Sequence, residues 1–356
     1  MIRRFSVSNF RCLEHAELDL TPSFNLVYGP NASGKTSLLE ALAYLGRGKS
    51  FRGATTENLV RHGEKSFVLF GEAEWAGRRQ RLGVRNSRDG LEVRVDGDSS
   101  GGTAALAEAL PLQVIDPDVH NLVAGGPEQR RRFVDWVAFH VEPGHLEAWR
   151  RFRRALKQRN AALKGRSERA AIRSWDAELI ELGGALDASR RRALEKAGNT
   201  LVEYGEALLG ATLGFAYQQG WSADRGLDEA LAEGLERDLQ HGTTRVGPHR
   251  ADLRIRYDER QARKLVSRGQ QKLLASAMIL AATETAQTEH ERPLLLLMDD
   301  PAAELDENSL RRLLEAVAAL GCQVVTTSLQ KATLALPEDT TVFHVEHGVL
   351  TPESAA

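Results

Sequence analysis

Residues 4–20, RFSVSNFRCLEHAELDL, alternate apolar and polar positions around a turn-like middle and predict two short strands. SFNLVY (23–28) reads as a buried strand. In TSLLEALAYLG (36–46), Leu38, Leu39, Leu42 and Leu45 share one helix face, and Gly46 is expected to close the helix. Alternation returns from Phe67 to Asp98, with turn signals at Ala76-Gly77, Asp89-Gly90 and Asp96-Gly97, so this stretch predicts an antiparallel meander.

The texture changes near Pro111. From about 127 to 240 the chain is rich in Arg, Glu, Leu and Ala and reads as short helices, with Gly126-Pro127 and Glu142-Pro143 marking the way in. No heptad pattern is sustained, which excludes a long coiled coil. ADLRIRYDERQARKLV (251–266) predicts a hairpin and GQQKLLASAMILAATETAQ (269–287) a helix. PLLLLMDD (293–300) is a buried strand, SLRRLLEAVAAL (309–320) a helix, CQVVTTS (322–328) a buried strand, and TVFHVEHGVL (341–350) a final strand pair. The pattern is α/β. Residues 1–115 and 290–356 form one lobe, and 116–289 form a mainly helical lobe inserted into it.

Composition narrows the class. Hydrophobic residues make up 42% and charged residues 27% of the 356, the balance of a soluble globular protein with room for two cores. No apolar run approaches the roughly 20 residues that span a bilayer, and the N-terminus lacks a secretory apolar segment. A cytoplasmic location is expected. The two cysteines, Cys12 and Cys322, have no metal-type spacing and read as small buried hydrophobes.

The net charge of -2 rules out a polycation, but the 47 basic residues are 38 arginines and only nine lysines. The arginines cluster at 130–132, 150–159 and 190–192. A planar guanidinium fork suits phosphate, so clustering bears on nucleic acid more than net charge does. The competing reading is a set of solvated helix faces paired with nearby Glu. Arg130, Arg131, Arg132, Arg150, Arg154 and Arg159 are the candidate DNA contacts.

Three stretches carry chemistry. GPNASGKT fits G-x-x-x-x-G-K-[ST], and the full loop is Gly29, Pro30, Asn31, Ala32, Ser33, Gly34, Lys35, Thr36 and Ser37. Its backbone N–H groups and the following helix N-terminus would cradle phosphates, Lys35 would reach the β and γ phosphates, and Thr36 would bind Mg2+. LLLLMDD ends a buried strand in two carboxylates. Asp299 would hold the Mg2+, and Asp300 sits where a hydrolysing site wants a base or water-positioning group. In LVSRGQQKLL, Ser267, Arg268, Gly269 and Gln270 open a helix. They could make a second phosphate clamp, or simply an N-cap.

These elements, in this order, resemble ABC-type ATPase heads, in which a dimer sandwiches each ATP between one subunit's P-loop and the other's signature loop. NFRCLEHAELDL, AGGPEQRRRFVDW, LKQRNAAL, VGPHRADL, SRGQQK and DDPAAELD are similar to the RecF family, the recombination-mediator branch of the SMC-like ATPases. The resemblance implies an ATP-dependent homodimer that binds double-stranded DNA and single/double-strand junctions. It also implies work with RecR, and indirectly RecO and RecA, in DNA repair, replication restart and the SOS response. It assigns Ser267 to Gln270 to the signature, Asp306 to the D-loop and Thr326 to Ser328 to the switch strand. Gln113 is the candidate Q-loop glutamine. Asn9, Phe10, Arg11 and Arg52 are the candidates to flank the nucleotide.

Two departures from the wider ABC pattern point to slow hydrolysis: Asp300 stands where glutamate is usual, and the switch strand has no histidine. That DNA stimulates this weak ATPase is an expectation from the RecF resemblance. The alternatives are the nucleotide-binding subunit of a transporter and a structural SMC-like tether.

Overall fold

The computed structural model describes residues 1–258 and 260–353. The chain divides into two compact units, residues 1–119 with 291 onward, and residues 120–290.

The first unit opens with β1 (Ile2–Phe10), β2 (Leu13–Asp19) and β3 (Phe24–Tyr28), then the glycine loop and α1 (Lys35–Arg47). Next come α2 (Thr56–Leu59), the meander β4 (Ser66–Trp75), β5 (Arg78–Ser87) and β6 (Gly90–Val95), then α3 (Gly102–Ala109) and β7 (Leu112–Ile115). The second unit holds α4 (Asn121–Ala124), α5 (Pro127–Val141), α6 (His145–Lys164), α7 (Arg169–Arg173), α8 (Asp176–Lys196), α9 (Gly198–Leu209) and β8 (Leu213–Gln218). It continues with α10 (Leu227–His241), β9 (Asp252–Tyr257), β10 (Arg260–Gln261), α11 (Ala262–Leu265) and α12 (Arg268–His290). The chain then returns to the first unit with β11 (Leu295–Met298), α13 (Glu307–Ala319), β12 (Gln323–Ser328), β13 (Thr341–Glu346) and β14 (Val349–Glu353).

Two sheets build the first unit. One is six-stranded in the order β14-β13-β3-β12-β11-β7, parallel except for the β13–β14 hairpin. The other is the antiparallel β2-β1-β4-β5-β6. The apolar residues of α1, Phe5, Val7, Leu69 and Leu82 of the antiparallel sheet, and Val27, Leu297 and Val325 of the parallel one belong to a single core. Hydrophobic residues on all sides of α1 follow from that double burial.

The helix does not end at Gly46 as expected. Gly48, at φ 64, is the left-handed cap, and its N–H bonds Tyr44 O at 2.7 Å. Gly46 lies inside the helix for space: a Cβ there would meet Leu112 Cδ2 at 2.5 Å and Leu110 O at 2.8 Å. Gly46→Ala is therefore expected to destabilise by about 1–3 kcal/mol despite the better helix propensity of alanine. A lowered midpoint in urea would show it.

In the second unit, β9 and β10 form the expected hairpin, but β9 also pairs with β8, a strand the sequence reading passed over. Phe152, Ala155, Leu179, Leu182, Leu186 and Leu231 pack α6, α8 and α10 together. Among the described residues, no helix is long and apolar enough to cross a membrane.

Candidate functional site

The glycine loop joins the tip of β3 to α1. At Gly29 a Cβ would stand 2.1 Å from Val345 O, so no other residue fits. Gly34, at φ 115, turns the chain into the helix in a conformation that suits glycine. Ser33 O accepts from Gly348 N at 2.8 Å, which ties the loop to the β13–β14 turn. Lys35 Nζ lies inside the loop and donates to Gly29 O at 2.7 Å and Pro30 O at 2.8 Å. Burial lowers its pKa, while Asp300 and Asp299 pull it back up. Ser33 Oγ is buried and makes no hydrogen bond among the described residues. A buried polar atom left over in a loop of this shape is what a phosphate oxygen would satisfy.

Asp299 emerges from β11 beside the loop. Its Oδ1 accepts from Thr36 Oγ1 at 3.0 Å and from Thr327 Oγ1, on β12, at 2.9 Å. Burial raises the Asp299 pKa, the two hydroxyls and Arg52 oppose the rise, and Asp300 adds to it. A carboxylate that pays for burial gains most from a cation. The Thr36 hydroxyl and the Asp299 carboxylate are hard oxygen donors, the set Mg2+ prefers. The residues therefore fit the ion.

Asp300 takes a left-handed backbone, φ 46, uncommon for a non-glycine residue, and its N–H is held by Thr327 Oγ1 at 2.9 Å. Thr327 thus bonds both aspartates from one hydroxyl. The resemblance places Thr327 in the switch strand but gives no sign of this double contact.

Several candidates fall elsewhere. Gln113 is buried within β7, paired in register with Leu296, and its Oε1 accepts from Arg47 at 3.3 Å, at the far end of α1 from the loop. It is not a catalytic glutamine. The strand end near Asp299 belongs instead to Asp116, since Asp299 N bonds Ile115 O at 2.9 Å. Burial, with repulsion from Asp118 and Asp299, lifts the Asp116 carboxyl to about 6. The sequence reading missed it, although it ends a short apolar strand just as Asp299 does.

Phe10 is fully buried in edge-to-face contact with Phe67, ring centroids 4.9 Å apart, so it cannot flank a nucleotide. Asn9 (φ 59) and Arg11 (φ 51) form the tight β1–β2 turn. Arg11 makes a two-pronged ion pair with the fully buried Glu40 of α1. Glu40 also binds Ser50, whose Oγ accepts from Arg52 N at 3.0 Å. One buried carboxylate, passed over in the sequence, therefore holds both Arg11 and the exposed Arg52 loop. Cys12, expected to be buried, is exposed, with Sγ 3.5 Å from Ser37 Oγ, while Cys322 is buried.

In the second unit, Ser267 and Gln270 cap α12 reciprocally: Gln270 N donates to Ser267 Oγ at 3.3 Å, and Ser267 N to Gln270 Oε1 at 2.9 Å. Both side chains, and Arg268, are exposed. In the first unit, Asp306 caps α13 through Ser309 N at 3.0 Å.

The arginine candidates divide. Arg159 is fully buried, with Nη1 2.7 Å from Asp238 and Nε 2.8 Å from Asp176. Arg130 is buried against Asp252, at 2.7 and 3.1 Å. Both are internal struts of the helical unit and cannot reach DNA. Arg131 is half-buried and donates to Ala251 O at 2.7 Å, and exposed Arg132 pairs with Glu128. Arg150 and Arg154 are exposed on α6.

Comparison with known proteins adds the lineage. The family description "RecF/RecN/SMC N terminal domain" matches residues 1–351. The chain is 40% identical over 351 residues to the DNA replication and repair protein RecF of Yersinia pestis bv. Antiqua, covering 98% of this chain and 97% of that one. It is 40% identical over 355 residues to RecF of Pseudomonas aeruginosa, covering 98% and 96%.

Among solved structures, a RecF–ATP structure of the RecFOR pathway superposes with a TM-score of 0.89 at 25% identity, over 99% of this chain and 97% of that one. An SmcHead bound to the C-winged helix domain of ScpA shares the fold, with a TM-score of 0.61 at 13% identity, over 99% and 96%. The α/β architecture is that of the ABC-type, SMC-like ATPase head. Within that class, the chain belongs to the RecF family of DNA replication and repair proteins.

Proposed function

We propose that the chain is an ATP-dependent, DNA-binding recombination mediator. The observation that carries the reading is the joining of the glycine loop to the carboxylate strand, with Thr36 and Thr327 both bonded to Asp299 Oδ1. Backbone N–H groups between Asn31 and Ser37 would cradle the phosphates of ATP, and Lys35 would turn from its two carbonyls to the β and γ oxygens. Thr36 and Asp299 would hold Mg2+, which neutralises charge developing on the transferred phosphoryl group.

In hydrolysis a water oxygen bonds the γ phosphorus while the bond to the bridging oxygen breaks, leaving ADP and phosphate. Asp300 would orient that water and accept its proton. Its reach, one methylene shorter than glutamate, favours slow turnover, as suits a timed clamp.

In the RecF reading two copies pair, and Ser267 to Gln270 of one serve the nucleotide of the other. DNA would bind mainly through phosphate contacts, with little base readout, and preferentially at gaps and junctions. RecR would be the direct partner, with RecO and RecA acting downstream in the cytoplasm.

The test is Asp300→Asn. Nucleotide should still bind while turnover falls by about 100-fold, the scale of one lost proton-transfer group. The trapped protein should bind a gapped duplex several-fold more tightly with ATP than without. DNA binding indifferent to ATP would sink the gated reading.

A further inference from the structure

We infer that one face of α6 is a phosphate-backbone contact surface for DNA, an assignment that rests on the reading above. The helix buries Phe152, Ala155, Arg159 and Leu163. Arg150, Arg153, Arg154, Lys157 and Lys164 are all exposed. At 3.6 residues per turn these five fall within an arc of roughly 100°, along about 21 Å of helix. No acidic residue lies between Arg150 and Lys164.

Some exposed arginines elsewhere in this unit are answered by carboxylates, Arg132 by Glu128, Arg169 by Glu236 and Arg225 by Glu233, while others such as Arg166, Arg173 and Arg237 stand singly rather than in a row. Even Arg151, off the stripe on the same helix, pairs with Glu178 at 3.5 Å. Among the described residues, none of the five has a carboxylate partner. Arg153 instead lies over the Trp149 ring, 4.6 Å from its centroid, a contact that steadies the guanidinium without neutralising it. Five like charges in a row repel one another, and none of them is held in an ion pair among the described residues.

The occupant that fits is a regular polyanion. Duplex DNA carries one phosphate per about 3.4 Å of axis on each strand, so a stripe this long meets about six on one strand. A protein partner would instead favour an aromatic or apolar anchor at the centre of the contact. The stripe offers only Ala161 as an exposed apolar side chain, and Trp149 is already covered. The sequence candidates on this helix were Arg150, Arg154 and Arg159, and Arg159 is fully buried. The buried and exposed members separate only once the helical phase is known.

The experiment uses the full chain with Arg150, Arg153, Arg154 and Lys157 all changed to Gln. Binding to a gapped duplex is measured with ATP at salt from about 50 to about 200 mM, beside an Arg169→Gln/Arg225→Gln control. Each phosphate contact contributes about 0.9 to the slope of log affinity against log salt, so the quadruple variant should lose up to about 3.6 from that slope. Its affinity should fall at least ten-fold, with ATP binding and the unfolding midpoint unchanged, and the control should keep the wild-type slope.

An unchanged slope, with ATP still tightening DNA binding, overturns the surface and leaves the ATP-gated reading standing. Loss of binding to a polyglutamate peptide with DNA binding intact overturns it in favour of an acidic protein segment. A wild-type protein that binds no DNA overturns both.

Discussion

Asp238→Ala is expected to cost the helical unit about 3–5 kcal/mol, the penalty for leaving one member of a buried ion pair alone. Asp238 and Arg159 are both fully buried. Arg159 Nη1 spends its bonds on Asp238 and on Thr244 Oγ1 at 2.8 Å. Asp238 Oδ1 also accepts from Arg245 N at 3.0 Å, so its loss frees a backbone donor as well. Asp176, 2.8 Å from Nε and partly exposed, cannot take over both roles.

The double change Arg159→Met/Asp238→Leu should recover much of the loss, because no charge then stays behind. Urea unfolding followed by tryptophan fluorescence is suited to this, since Trp136, Trp149, Trp175 and Trp221 lie in the helical unit and only Trp75 in the other. A single variant as stable as wild type would mean that water reaches Arg159.

Lys35→Ala is expected to weaken ATP binding by about 100-fold or more, on the scale of one to two hydrogen bonds to charged groups. The ammonium is nearly buried inside the loop, where it donates to two loop carbonyls, and neighbouring Arg11 is committed to Glu40. The loop backbone should persist, because Gly29 and Gly34 set its shape. Saturating ATP stabilises a protein by about 2.7 kcal/mol at a hundred times Kd. The thermal shift that ATP gives wild type should therefore vanish in the variant, at an unchanged melting point without nucleotide. A retained shift would place the phosphates elsewhere.

What was legible in the sequence follows from the range of each interaction. The glycine loop, the carboxylate strand and the α12 cap are local devices whose residues stand within a few positions of one another. Glu40, Asp116 and Thr327 act across the fold. Glu40 meets Arg11 from 29 positions away and Thr327 meets Asp299 from 28. No local pattern marks Glu40 or Thr327, whereas Asp116 stands, like Asp299, at the end of a short apolar strand. Gln113 failed for a related reason: its place relative to the loop depends on how β7 lies in register with β11.

The arginine clusters failed in a different way. A string such as WRRFRRALKQR states charge but not phase, and one register puts Arg154 in water and Arg159 in the core. Arginine abundance here reflects two uses at once, since Arg130, Arg159 and Arg190 brace the helical unit against Asp252, Asp238 and Asp135.

The insertion point of the helical unit has a consequence for how the protein is made. β7 and β11 are neighbours in the parallel sheet, yet about 180 residues of chain separate them, and β3 finds its partners only in β12 and β13. On a ribosome, the helical unit is complete before any strand that flanks β3 has been synthesised. The glycine loop is among the first elements made and among the last to gain its supporting sheet. Long-range parallel pairing of this kind is slow and leaves strands exposed. A nascent chain stalled after α12 should therefore present a finished helical unit, a protease-sensitive N-terminal segment and no nucleotide site.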